Sequence, residues 1–292
     1  MSKIHAYNRT RNITMSLAFI MMSEAGFAQH GFVPLCPEPS FPTPPANGLG
    51  IDAQCGIGGS GTGAEATQNK AKNNFCAAGT AAPITIDEMK SLQNKVQQNK
   101  KINFGNPREH PLSATPGPVT SRAPLIALGE GKLRTLEGFI MIARQEGGEG
   151  VNCGNNVVNH PLFHDIHISI VGAKEDIHGD ECDSVVVEMS PHHRPEVWNK
   201  SNLLKVAGRH AQVRVTGQLF FDSSHSPCQD GASVSGDPKR ASLWEIHPIY
   251  KLDVCDAADC SAAEKWLSLD EWLKELCRSV KMAASMEISP VA

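Results

Sequence analysis

The sequence predicts a mainly β fold, a five-stranded OB-like barrel with flanking N-terminal helices and a C-terminal helix, on three observations. Five runs rich in Val, Ile and Phe, with partial period-two alternation, lie between Leu133 and Val254, separated by loops containing Gly, Asn, Asp and Pro. The one helix-compatible segment there, RPEVWNKSNLLKVAG, falls between the third and fourth runs, which is the element order of this small Greek-key barrel. Turn formers are abundant, with 25 Gly and 19 Pro, while aromatics are only 5%, which weighs against a helical bundle. A fragment of a β-sandwich is the alternative architecture.

Taken in order, residues 1–28 have the form of a signal peptide. Lys3, Arg9 and Arg11 precede a short apolar stretch from Ile13 to Met22, and Gly26 and Ala28 are small residues placed for cleavage before Gln29. The stretch falls short of the roughly 20 apolar residues a membrane span needs, and no later segment is longer, so no span is expected in the mature chain. Residues 29–63 form a Pro/Gly-rich loop; Gly56, Gly58 and Gly61 match GxGxxG but lack the preceding strand of a dinucleotide site.

Residues 64–104 form a helical N-terminal segment, with one polar helix over Ala64 to Phe75 and another over Asp87 to Lys100. Thr85 and Glu88 have capping-box spacing, and Met89, Leu92 and Val96 make a narrow apolar stripe that must dock on something larger. Residues 105–124 read as a Pro-rich linker, 125–279 as the barrel domain with its C-terminal helix, and 280–292 as a tail. Ser268 and Glu271 are a second capping box ahead of Trp272, Leu273 and Leu276.

A hydrophobic content of 40% suffices for a core, and a formal charge of −4 removes the electrostatic case for dedicated nucleic-acid binding. The nine cysteines of an exported chain are expected in disulfides, with at least one left over. Cys36, Cys55 and Cys76 are candidates to staple the N-terminal region, and Cys255 to pair with Cys260 or Cys277. There is no CxxC pair to suggest a thiolate zinc site.

The 12 histidines are unevenly placed. His160, His164, Asp165 and His167 sit on or before the second run, Glu188, His192 and His193 close the third, Asp222 and His225 end the fourth, and Glu245 and His247 lie on the fifth. Residues two apart on a strand share a face, so Asp165 with His167 and Glu245 with His247 form same-face polar pairs. Imidazole and carboxylate together suit a divalent metal, calcium or zinc, with Asp165, His167, Glu188 and Asp222 as candidate ligands and His225, His247 and Glu245 as candidate catalytic groups. The competing reading is ordinary alternation, in which Asp165 and His167 face water while Ile166, Ile168 and Ile170 make core. Joint recurrence across four strands favours a site. Arg194, Arg214 and Arg240 could bind a phosphate or carboxylate. HExxH and GxSxG are both absent.

The words QNKAKNNFC, ECDSVVVEMSPHHRP, VRVTGQLFFDSSH and SLWEIHPIYKLDVC together resemble an uncharacterised family of exported bacterial proteins, over about residues 64–277. The resemblance implies that the N-terminal helices and the barrel form one unit; it implies no activity and no catalytic residues. From the polar residues themselves, two functions are in view. One is a secreted metal-dependent hydrolase of a small-molecule ester, lactone or phosphoester, periplasmic or extracellular. The other is a non-catalytic binding module for a saccharide, peptide or oligonucleotide.

Overall fold

The computed structural model describes residues 59, 62–75, 77, 80–99, 122–147, 149–152, 164–192, 194–228 and 236–286. The predicted leader, nearly all of the Pro/Gly-rich loop, the linker before residue 122, His160, His193, and the staple expected of Cys36, Cys55 and Cys76 lie outside the described residues.

The five predicted runs are the five strands of a closed barrel: β2 (Leu133–Gln145), β3 (Ile166–Val171), β4 (Val185–Met189), β5 (Gln212–Phe221) and β6 (Trp244–Cys255). Two short strands, β1 (Ala82–Ile84) and β7 (Leu267–Ser268), extend the sheet. Neighbours run β2-β3-β4-β6-β5, and β5 returns to β2. The 13-residue β2 closes the circle because it serves two partners, pairing with β5 over Leu133–Phe139 and with β3 over Phe139–Gln145. All barrel contacts are antiparallel except β4 with β6, which run parallel, and α4 (Lys200–Gly208) lies between β4 and β5 in the chain. This is OB-type topology. The sandwich alternative does not hold, since a sheet closed on itself leaves no second layer.

Alternation sorts each strand into an inward and an outward row. Ile166, Ile168 and Ile170 on β3, Val185, Val187 and Met189 on β4, Leu219 and Phe221 on β5, and Trp244 and Ile246 on β6 belong to one buried core. Where β5 crosses β6 the backbones come so close that only glycine fits at Gly217: a Cβ there would stand 2.3 Å from the Pro248 carbonyl oxygen.

The helices pack on this barrel. α2 (Ile86–Gln98) starts with the predicted capping box at Thr85 and Glu88, and buries Met89 and Val96 in the barrel core. α5 (Leu269–Met286) begins behind the Ser268/Glu271 box and runs into the predicted tail. Two predicted elements are shorter than their segments. α1 is Gly63–Lys72, and the segment before β5 is helical only over α4 because Asn199, an N-cap accepting from the Asn202 amide, starts the helix there. One helix was not predicted: α3 (Ala123–Leu128) begins in the last residues of the expected linker. Among the described residues Cys182 pairs with Cys228 and Cys255 with Cys260, and Cys277 is free and exposed on α5. No helix among the described residues is long and apolar enough to cross a membrane.

Candidate active site

The outward rows of β3, β4, β5 and β6 carry the predicted polar residues, yet these residues are not in water. His167, Glu188, Asp222, Glu245 and His247 are buried, as is Asp165 just before β3. The register explains their meeting. His167 is opposite Glu188 across β3 and β4, while Val187 pairs with Ile246 in the parallel β4–β6 contact. Their chain neighbours Glu188, Glu245 and His247 are thereby set side by side on the outer wall. Phe220 faces Glu245 across β5 and β6, and Asp222 follows at the end of the same row.

The cover is α1 and the residues after it. Asn74 donates to the Gln218 side chain at 2.5 Å, Gln218 donates to the Ala71 carbonyl at 2.7 Å, and Ser190 donates to Asn73 at 3.0 Å. Tyr250 donates to the Asn74 carbonyl at 2.5 Å and accepts from the Ala77 amide at 3.1 Å, with its ring stacked on Phe75. Ala71 packs on Phe220. At the other end Gln68 donates to Asp222 at 3.3 Å and accepts from Ser223 and from Arg122, whose guanidinium also grips Glu130 and the Phe221 carbonyl.

Lys72, the last residue of α1, stands among the carboxylates. Its Nζ is 3.2 Å from Glu149, 3.3 Å from Glu188, 3.4 Å from Asp222 and 3.9 Å from Asp165. Glu188 is the hub: one oxygen is 3.1 Å from His167 Nε2 and the other 2.6 Å from His247 Nδ1. His167 Nδ1 lies 3.2 Å from Glu146. Glu245 is paired with the buried Arg240, and His225 Nε2 is 3.5 Å from Asp222. Both oxygens of Asp165 and both ring nitrogens of His167 and His247 are buried with no hydrogen bond of normal geometry among the described residues.

Charge dictates the protonation pattern. Burial works against Lys72, but Glu149, Glu188, Asp222 and Asp165 overcome it and hold the ammonium well above the usual lysine range. Burial opposes Glu188 too, yet His167, Lys72 and His247 keep it ionised far below the usual carboxylate range. His247 is pushed up to about 9, where contact with Glu188 outweighs burial. Glu245 moves the other way, up to about 7, because burial and the neighbouring Glu188 outweigh Arg240. His225 is pushed down to about 4 by burial and by Arg240, against the pull of Asp222, so its imidazole is neutral near pH 7. Five carboxylates, the half-buried Glu149 and the buried Asp165, Glu188, Asp222 and Glu245, thus share two permanent cations, Lys72 and Arg240. The balance comes from protonated imidazoles, from carboxyl groups that burial holds above their ordinary range, Asp165 and Glu245, or from a bound cation, since uncompensated charge in such a place is costly.

Three overlapping groups here bring their ligand atoms within 4.8 Å of one another: Glu149 with Asp165 and His167, Asp165 with Glu188 and His247, and Glu188 with Asp222 and Glu245. These residues could hold a metal ion. A cavity of about 300 Å³ reaches the cluster, lined by Gln68, Asn69, Lys72, Glu149, Gly150, Val151, Ser224 and His225. A larger cavity, about 700 Å³, lies between β1, the start of α2 and the turn after β3, and no histidine lines it.

All seven sequence-predicted residues therefore fall in one cluster, of which His225 lines the cavity while Glu245 and His247 sit deeper, behind Glu188. Of the other histidines named from the sequence, His164 and His192 are buried nearby. The three arginines serve the fold: Arg240 pairs with Glu245, Arg214 with Asp253, and Arg194 donates to the His164 carbonyl at 2.7 Å. Lys72, Glu149 and Gln68 were missed. A signal for two of them existed, because Gln68 and Lys72 are four apart on α1 and share one face; Glu149 stands in a Gly-rich loop without any periodicity. No protein-family model matches the chain, and no match was found among curated proteins or solved structures.

Proposed function

We propose that this is an exported, divalent-cation-dependent hydrolase of a small ester-type substrate: a carboxylic ester, a lactone or a phosphoester. The observation that carries the reading is the surplus of buried carboxylates, in contact with imidazoles, at the floor of a cavity of small-molecule size. Glu149, Asp165 and His167 would hold the cation, since Glu149 also lines the cavity. The imidazole in that set suits zinc or manganese better than calcium, which prefers oxygen throughout. A cation bound there polarises the substrate oxygen and lowers the pKa of water. His225, neutral and at the cavity wall, accepts the proton of the attacking water, and Asp222 orients and stabilises the imidazolium that forms. Glu188, His247 and the Arg240–Glu245 pair hold the ligands in place from behind.

The binding-module alternative has less surface to work with. Barrels of this topology grip polymers on the outer face of their second and third strands. Here β3 and β4 are buried along their whole length, with Lys72 and Asn73 of the α1 cover touching Glu188 and Ser190. The two disulfides, together with the leader-like residues 1–28, support export.

The test is turnover of nitrophenyl esters, lactones and bis-nitrophenyl phosphate by the purified protein, with and without chelator. Turnover of one class that chelator abolishes, zinc or manganese restores, and His225→Ala lowers by about 100-fold or more is the expected result. No turnover of any class by metal-loaded protein would overturn the reading.

A further inference from the structure

We propose that the centre takes one divalent cation and not two, because Lys72 permanently fills the second position of a carboxylate-bridged pair. This rests on the reading of the cluster as a cation site and concerns how many ions that site admits.

The observation is which oxygen of each carboxylate faces which neighbour. Glu149 lies with Oε2 3.2 Å from Lys72 Nζ and with Oε1 3.8 Å from His167 Nε2. Glu188 repeats the arrangement, Oε2 at 3.3 Å from Lys72 and Oε1 at 3.1 Å from His167 Nε2. Two carboxylates thus bridge two separate positions, one taken by an ammonium and the other beside an imidazole. Bridging carboxylates of this kind are what hold paired metal ions a few ångströms apart. Asp165 reaches both sides, with Oδ2 3.9 Å from Lys72 and a place in the same ligand group as Glu149 and His167.

The two positions differ in how well they are filled. Around Lys72 a fourth carboxylate, Asp222, closes in at 3.4 Å, and the ammonium is in contact with every member. Beside His167, whose nitrogens face Glu146 and Glu188, both Asp165 oxygens are buried without a hydrogen bond, in a side chain 0% exposed. A carboxylate left in that condition, its nearest cation Lys72 at 3.9 Å, points to a missing cationic partner on the His167 side. The Lys72 position cannot be vacated cheaply. The ammonium hangs from the last turn of α1, and that turn is tied to the barrel by Gln68 on Asp222 and by Gln218 on the Ala71 carbonyl. Lys72 thus occupies its own position completely and leaves the position beside His167 and Asp165 without a cation in contact with the Asp165 oxygens.

The experiment is equilibrium dialysis of the full chain against Mn²⁺, with bound manganese per chain counted by elemental analysis and its coupling read by electron paramagnetic resonance. Wild type should bind one ion with an uncoupled spectrum, and Lys72→Arg should do the same. Lys72→Met should bind two, with the exchange-coupled spectrum of a pair. Two ions in wild type overturn the proposal, as does one ion at unchanged affinity in Lys72→Met. No ion in any of the proteins overturns the cation reading itself and the proposal with it. Should Lys72→Met fail to fold, Lys72→Gln, which keeps a polar end in the same place without the charge, decides by the same count and spectrum. Two coupled ions in that variant support the proposal, and one ion at unchanged affinity overturns it.

Discussion

Glu188 is the residue on which the buried charges depend. It faces His167, His247 and Lys72 at once, so replacing it by Gln removes a shared partner of three cationic groups and leaves them buried without it. Breaking buried ion pairs from one side costs about 3–5 kcal/mol, and Glu188→Gln should lower the urea-denaturation free energy by that order. Acid and base act on this network in opposite senses. The folded-state pKa of His247 is raised, so its contribution is complete below the unfolded value of about 6.5 and is lost as pH rises through about 9. Chelated protein should therefore lose stability between pH 6.5 and 9, as a falling denaturation midpoint, and His247→Gln should flatten that slope. Glu188 is depressed instead, so its contribution is present above the ordinary carboxylate range and is lost only on strong acidification.

At the scale of elements, the strands were legible in the sequence because each presents one apolar face, and an alternating run of Val and Ile carries that information locally. The polar residues between them were legible for the same reason: an outward row interrupted by His167, Glu188 or His247 stands out against apolar neighbours. What could not be read was the lid. α1 and the two residues after it cover the outer wall with Gln68, Asn69, Lys72, Asn73 and Asn74, side chains that look solvated in sequence and are buried in the fold. Polar-on-polar packing leaves no hydrophobic period behind it. β1 and β7 escaped because strands of two or three residues are too short to alternate. The disulfides act at this scale too. Cys182–Cys228 closes 46 residues and Cys255–Cys260 only 5, so loop entropy assigns about 4 kcal/mol to the first and about 2 to the second. The Cys182→Ser/Cys228→Ser protein should unfold at clearly lower denaturant than the Cys255→Ser/Cys260→Ser protein.

At the scale of the molecule, the described helices before the barrel are structural members of its core. Ile84, Ile86, Met89 and Val96 lie in the same core as the strands. Burial of such side chains is worth about 1.5–3 kcal/mol each, so a chain beginning at residue 105 should lose cooperative thermal unfolding, read by near-ultraviolet circular dichroism. The tie between Asn74 and Tyr250 has a further, temporal meaning. These residues are 176 positions apart, and Asn74 and Gln218 are 144 apart, so the lid leaves the ribosome long before the strands it closes. Contacts of such span form late and slowly. Closing the lid over the carboxylate and imidazole row is consequently a non-local step, set by pairings whose two partners stand far apart in the chain.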